Sequence, residues 1–531
     1  MVNPRRGGSA SGVTVDTPES APAEAPPAGH PRRWLILAVL CSSLTLVMVS
    51  NMSLNVALPS IADDLDASSS QLQWIVDAYA LVFAGLLFAA ATLGDRFGRK
   101  GALQLGLVLF VVAAVIGAFV DSAGALIAVR AVMGLGAAFV MPSTLSILID
   151  VFPPHERPKA IAMWAGISAG GAALGPPISG FLLEHFWWGS VLLITLPISA
   201  FALVAGHVLV PTSRDPNGTK VDLAGVALSI LAIGMLVYTI IEAPHQGWGS
   251  ARTLGGFAVA IVAVVVFVAV ERRKRAPMLD IGLFSNPRFS VASIGIGMAF
   301  FAMFGTFFLL TQVFQFVHGQ KPLSAGLMVL PVSFTMMLVA PRAATLAARF
   351  GTRTMVPAGL TVVAVALVLF GWMAQLGSPF YMWISGIPLS VGMALTMTPL
   401  TALIMSAVPP ARAGMGSAMN DATRELGGAL GVAVLGSAAA TVYAHGLDDT
   451  FGLTPEQTAM TRSGLAGALR TASQLSGPQA AALANDATEA FRDGVFVAAL
   501  VAAAIAATAA LIARLWLPRQ ELQHGAGGHG H

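Results

Sequence analysis

The sequence predicts an all-α polytopic membrane protein with fourteen spanning helices, two six-helix halves with two further spans between them. Three observations carry that expectation. Of 531 residues, 56% are hydrophobic and only 10% charged, against about 25% charged in soluble domains. The mean hydropathy is +0.77, and the apolar residues fall in runs of about 20, the length that crosses a hydrocarbon core as helix. The third is a long internal repeat.

From the N-terminus, the Pro- and Ala-rich stretch "TPESAPAEAPPAGHP" marks 1–31 as a disordered cytoplasmic tail. It is no signal peptide, because Arg32 and Arg33 lead directly into a full-length apolar run. Segments at about 34–59, 72–93, 101–120, 124–149, 160–183 and 190–210 make an N-terminal half over 32–211. Two additional spans follow within 222–271, at about 222–241 and 253–270. Segments at about 289–316, 323–347, 354–375, 379–407, 414–443 and 492–517 make a C-terminal half over 288–517. The Ala-rich loop 444–490 is expected to form short amphipathic helices on the outer surface, with a substrate gate as the alternative. Residues 518–531 read as a flexible cytoplasmic tail, with metal binding by His524, His529 and His531 as the alternative and no metal site expected.

The net charge of +3 and pI near 9.2 raise the question of nucleic acid. With the N-terminus in the cytoplasm, most of the 29 Lys and Arg residues fall at cytoplasmic ends, including Lys100, Arg272, Arg273, Lys274, Arg275, Arg349, Arg353 and Arg412. That asymmetry follows the positive-inside rule. The basic residues are topology signals beside lipid headgroups, and no nucleic-acid partner is expected. The single Cys41 excludes a disulfide framework.

A shift of 256 residues sets "FPPHER" (152–157) on "VPPAR" (408–412) and "GAALG" (171–175) on "GGALG" (427–431). It also sets Gly136, Ala138 and Met141 on Gly392, Ala394 and Met397, and a slightly smaller shift sets "RFGRK" beside "RFGTR". Spans 2–3 and 4–5 thus recur as 10–11 and 12–13. Repeated halves with a site near their midplane interface are the build of secondary transporters.

"LGDRFGRK" (93–100) joins spans 2 and 3 on the cytoplasmic side. Gly94 and Gly98 allow close approach and a tight turn, Asp95 can face an arginine, and Arg96 and Arg99 hold the loop at the interface. The string resembles the signature loop of the major facilitator superfamily, and the resemblance covers all fourteen spans. "RAVMGLG" (130–136) resembles that superfamily's second motif, whose arginine takes part in proton transfer. "GGAALGPPISG" (170–180) resembles its antiporter motif, with Gly171, Gly175, Pro176 and Gly180 in register and Ser179 where a further glycine is usual. With "NVALP" (55–59) and "TRELGGALGVAVLG" (423–436), the chain is similar to the fourteen-helix drug:proton antiporters of the EmrB/QacA type. The resemblance implies a major facilitator fold, a conformational latch at Gly94, Asp95, Arg96, Gly98 and Arg99 holding the two halves during rocking, and export of cationic or amphipathic compounds against protons. One departure stands out: Ser50 occupies the place of the aspartate usual five residues before "NVALP".

The ionisable residues expected within spans are Asp77, Arg130, Asp421, Arg424 and Glu425. A charged side chain at the bilayer centre costs roughly 2.5–3.5 kcal/mol on insertion scales, so each asks for a reason. Asp77 interrupts "LQWIVDAYALVF" about two turns, ~9 Å, below the outer end of its span. Arg130 is read either as a proton-transfer residue or as the charge that neutralises Asp77. Asp421 and Glu425 are four apart and share a helix face, while the repeat places Ala165 and Ala169 at the corresponding positions. The five are candidates for proton and substrate coupling, with a self-neutralised structural cluster as the alternative around Arg424. Span 9, rich in Phe and Met, is a candidate adaptable pocket with Gln312 and Gln315 as polar contacts, or a lipid-facing surface.

The function expected is proton-coupled export of hydrophobic or cationic drugs, antibiotics or toxic metabolites across the cytoplasmic membrane, with a small substrate, protons and lipid as partners. No cofactor is expected beyond the proton gradient, and the state is a monomer. No GxxxxGK[ST] phosphate loop supports ATP use, and no cluster of nucleophile, His and acid suggests an enzyme. Proton-driven uptake, export of one dedicated metabolite and a non-transporting sensor are the rivals.

Overall fold

The computed structural model describes residues 29–214, 222–274, 277, 279, 281–407, 413–447 and 452–517. Apart from residues 29–31, the tails expected at 1–31 and 518–531 lie outside the described residues, as does "VPPAR" at 408–412. The last residues of the first tail are not free: His30 N donates to Val151 O at 2.9 Å.

The N-terminal half consists of α1 (Arg33–Asp64), α2 (Ser69–Phe97), α3 (Arg99–Gly117), α4 (Ala123–Val151), α5 (Arg157–His185), α6 (Ser190–Leu193) and α7 (Thr195–Leu209). The extra pair is α8 (Leu223–Gln246) and α9 (Ala251–Arg273). The C-terminal half begins with α10 (Pro287–Gln312), prolonged by a π turn at Val313–Val317. It continues through α11 (Pro322–Leu327), α12 (Leu330–Phe350), α13 (Thr352–Gln375), α14 (Pro379–Ala407) and α15 (Ala413–Gly446). Two short helices, α16 (Pro455–Arg462) and α17 (Leu465–Gln474), precede α18 (Pro478–Trp516). Among the described residues, thirteen helical stretches are long and apolar enough to cross a membrane. The Gly- and Pro-rich α5, 29 residues long, is the fourteenth long helix and packs against α1.

Proline explains two departures from the expected spans. The sixth is split into α6 and α7 because Pro197 has no N–H for the carbonyl of Leu193, where α6 ends. In the same way Pro331 has none for Leu327, where α11 ends before α12. The last span starts at Pro478, fourteen residues earlier than 492, because Gly477 at φ 69 stops the preceding chain and the Ala-rich run after it extends the helix beyond the apolar part. The loop expected at 444–490 is correspondingly shorter, and α16 and α17 are its amphipathic helices.

The repeat is visible in how helices touch. A Cβ on Gly136 would meet Gly106 O at 2.8 Å, and one on Gly392 would meet Gly359 O at 2.8 Å, so α3–α4 and α13–α14 cross at matching glycines. Likewise Gly171 and Gly175 of α5 lie against Thr45 and Val49 of α1, as Gly427 and Gly431 of α15 lie against Gly297 and Phe301 of α10. Small residues at these crossings let backbones approach closely. The extra helix α8 packs on α2 of one half and α15 of the other, with α9 outside it.

Several contacts between the halves among the described residues lie toward the face that carries α16 and α17. Gln315 Nε2 donates to Val56 O at 2.8 Å. Ser69 N donates to Ser463 O at 2.9 Å, and Arg470 pairs with Asp66. Gly326 of α11 abuts Pro176 O, and Gly180 of α5 abuts Pro322 O. The molecule is thus closed at this face.

Candidate functional site

The loop between α2 and α3 turns at Gly98, whose φ of 126 favours glycine. Gly94 leaves room for Ala102, 3.1 Å from where its Cβ would stand. Arg99 Nε donates to Asp95 Oδ1 at 2.6 Å, and its NH1 pairs with Asp150 at the end of α4. Arg96 stacks on Phe97, 5.2 Å from the ring centroid. The resemblance implied a latch between halves. In this arrangement Arg99 has both its acidic partners within the N-terminal half, at the face opposite α16 and α17.

The motif in α5 is explained by two reciprocal hydrogen bonds. Ser53 Oγ of α1 donates to Gly175 O at 2.9 Å, and Ser179 Oγ donates back to Ser53 O at 2.8 Å. Ser179, in place of the usual glycine, therefore fastens the crossing that Gly171 and Gly175 permit. Pro176 and Gly180 lie where α5 meets the other half.

Arg130 of α4 is fully buried. Its Nε donates to Ile75 O at 3.0 Å and its guanidinium lies 4.3 Å from the centroid of Tyr79, while NH1 and NH2 have no hydrogen-bond partner. A desolvated cation–π contact of this kind is worth about 2 kcal/mol or more. Asp77 is also fully buried, and neither carboxylate oxygen has a hydrogen-bond partner. The two do not pair. Tyr79 and Ile75 are each two residues from Asp77, about 200° around the helix at 3.6 residues per turn. The reading of Arg130 as the charge that neutralises Asp77 is therefore corrected: they address opposite sides of α2.

In α15, Arg424 NH1 lies 3.6 Å from Asp421 Oδ1, and its guanidinium lies 4.6 Å from the centroid of Phe300. Each half thus stacks one buried or half-buried arginine on an aromatic ring. Glu425 is 6% exposed, and its Oε2 has no hydrogen-bond partner. It is close enough to Arg130 and Tyr79 to interact electrostatically across the interface between the halves. Glu425 is therefore brought toward Arg130, Asp421 stays with Arg424, and Asp77 joins neither. Ser50 is buried, and its Oγ is without a partner.

The candidate pocket residues are engaged otherwise. Gln312 Nε2 donates to Phe308 O at 3.1 Å in its own helix, and Gln315 bonds Val56 O across the halves. Both amides hold backbone in this arrangement. Tyr79 was missed, although it stands two residues after Asp77 in the same quoted word. Gln73, one helical turn before Asp77, is a second polar residue in that run that signalled a polar contact. Among the described residues, no group of His, Cys, Asp and Glu is placed to hold a metal.

Comparison with known proteins agrees with this architecture. Residues 40–432 match the Major Facilitator Superfamily. The chain is 37% identical to the multidrug efflux pump LfrA of Mycolicibacterium smegmatis, over 91% of this chain and 95% of that one. It is 32% identical to the tetracenomycin C resistance and export protein of Streptomyces glaucescens, over 94% of each. The methyl viologen resistance protein SmvA of Salmonella typhimurium is 32% identical, over 87% and 93%. In fold it resembles a bacterial homologue of the human lysosomal transporter Spinster, with a TM-score of 0.64 at 19% identity, covering 92% of this chain and 99% of that one. A D-xylose–proton symporter gives 0.59 at 14% identity, covering 92% and 99%. The repeated halves, the signature loop and these matches together place the chain in the major facilitator superfamily.

Proposed function

We propose that the protein is a proton-driven exporter of hydrophobic or cationic drugs, with Asp77 and the Asp421–Glu425 pair as its coupling acids. The observation that carries this is Asp77, buried with neither carboxylate oxygen partnered, and Glu425, buried with its Oε2 unpartnered beside the Asp421–Arg424 pair, in a chain related to named drug efflux and resistance proteins. An intramembrane acid without a fixed partner is free to take a proton or a cation as water access alternates. A cationic substrate competes with the proton for the same carboxylate, so exchange needs no ATP. One proton moving down 100 mV supplies about 2.3 kcal/mol, enough for roughly a fifty-fold gradient.

The distribution of Lys and Arg supports a reading with both termini in the cytoplasm and the α16–α17 face outside. The described arrangement is then closed outside, the state that receives substrate from the cytoplasm. A monomer contains both repeats and so a whole interface. The test is transport by everted vesicles. A cationic dye should accumulate on energisation and leave when a protonophore is added. Accumulation that survives the protonophore but requires ATP sinks the antiporter reading.

A further inference from the structure

We propose that Gln73 is the outer plug over Asp77, seated against Gly436 and Ser437 at a seam where both halves and the extra helix α8 meet. The inference rests on the reading of Asp77 as a coupling site, but its test does not.

The register of α2 locates the seam. Gln73, Asp77 and Leu81 are spaced four apart, so they span an arc of about 80° on one side of the helix. The flanking contacts on that side are known. Gln73 touches Gly436 and Ser437 of α15, and Leu81 lies 3.4 Å from the Cβ position of Gly234 in α8. Gly85 lies against Ile230, and the Trp74 ring lies 6.2 Å from the tilted ring of Tyr238, both partners in α8. Asp77 falls between these contacts and so faces the junction of α2, α8 and α15. At its level, Val237 of α8 and Ala433 of α15, both 0% exposed, belong to one small apolar cluster. The carboxylate has apolar walls and no partner there.

One turn toward the α16–α17 face, roughly 6 Å away, the seam turns polar. Ser437 Oγ donates to Ile240 O at 2.8 Å and lies 3.3 Å from Gln73 Oε1. A hydroxyl has one hydrogen, and the shorter contact takes it. The Gln73 side-chain oxygen sits beside that hydroxyl at the longer distance. Three helices are thereby joined through one serine, and Gln73 is only 1% exposed. Gly436 makes the seat, since a Cβ there would stand 2.7 Å from Gln73 Cδ. When the halves part on this face, Gln73 leaves Gly436, and Asp77 gains a path to that side. While the seam is shut, the path is blocked. That one-sided access is what coupling requires of an acid in an exchanger.

The test reads access directly. In a Cys41→Ser background, Asp77→Cys is labelled in right-side-out cells with a membrane-impermeant thiol reagent. We expect slow labelling with Gln73 present and about tenfold faster labelling when Gln73→Ala is added, the scale of one lost hydrogen bond. Gln73→Asn, one methylene shorter, should fall between. Ser143→Cys, buried near the opposite face, controls for general loosening and should stay slow in all three. A further pair, Gln73→Cys with Gly436→Cys, should form a disulfide that stops export until reduced, because Gly436's Cβ position lies 3.0 Å from Gln73 Cγ. Unchanged labelling at position 77, equal acceleration at 143, or normal export by the cross-linked protein overturns the plug. Labelling involves no transport, so the result stands whether or not Asp77→Asn abolishes proton coupling.

Discussion

Closure at the α16–α17 face depends on α5 and α11 meeting backbone to backbone, and one methyl group should pry them apart. A Cβ on Gly326 would stand 2.3 Å from Pro176 O, where ordinary contact begins at 3.4 Å. The obstacle is main chain and cannot rotate away, so in Gly326→Ala the two helices must separate by about 1 Å or strain. Overpacking of this kind costs about 1–3 kcal/mol, and it acts only in the arrangement closed on this face. Alanine's better helix propensity, about 1 kcal/mol, acts in both arrangements and cancels. A bias of ~2 kcal/mol moves the equilibrium roughly thirtyfold toward opening. Spin labels at Asp64 and Lys321, exposed residues of opposite halves on this face, report it as a distance distribution. The longer distance should gain population and the export rate should fall, since each cycle passes through the closed form. An unchanged distribution with normal export would refute the claim that this crossing sets the closure.

Three further outcomes follow from the described contacts. Asp77→Asn is nearly isosteric, so the protein should fold and insert, yet lose export of dications more than of monocations; equal export of both with wild-type proton dependence would leave Asp77 without a coupling role. Asp95→Asn should slow transport of every substrate while equilibrium binding stays nearly unchanged, because Asp95 holds Arg99 and not a ligand; a selective loss of affinity would put it in the binding site. At the base of the N-terminal half, Arg33 grips Glu156 through bonds of 2.6 and 2.9 Å and thereby holds that carboxylate below its usual range. A depressed carboxylate stabilises the fold above the unfolded value and loses that contribution as pH falls through the folded one. The thermal stabilities of wild type and Arg33→Gln should therefore differ at neutral pH and converge below about pH 4; a gap that persists there would mean Arg33 acts through packing alone.

The architecture was legible because a bilayer permits few solutions. A run of about 20 apolar residues must become a helix, and the 256-residue repeat then pairs the helices, as the matched crossings at Gly136 and Gly392 bear out. Helix breaks inside such runs were not legible from hydropathy, because Pro197 and Pro331 change hydrogen bonding without interrupting apolarity. Nor was the early start of α18, where the helix outlasts the hydrophobic stretch. The residue types of the site were also legible, since any ionisable group in these runs needs a reason. Their partners were not. Proximity in the motif-bearing spans suggested Asp77 with Arg130, but partnership depends on angular phase. A separation of two residues turns a side chain to the far side of its helix.

That phase matters for mechanism. Tyr79 and Ile75 bind Arg130 to the rear of α2, where Glu425 approaches from the other half. Asp77 faces the front, toward α8 and α15. If one buried ion pair had joined Asp77 to Arg130, a proton arriving at either would have been felt as a single event at a single place. Instead α2 carries two charged addresses on opposite faces, and both look across a boundary that must move when the halves rock. The extra pair α8–α9 covers the front boundary, because α8 touches α2 and α15 together and is fastened to α15 through Ser437. Its hydrogen bond ties it to the C-terminal half, while Gly85 and Leu81 give it only apolar contact with the N-terminal one. Apolar contacts slide at less cost than a buried hydrogen bond breaks. The seam should therefore open between α2 and α8–α15, the surface on which Asp77 lies.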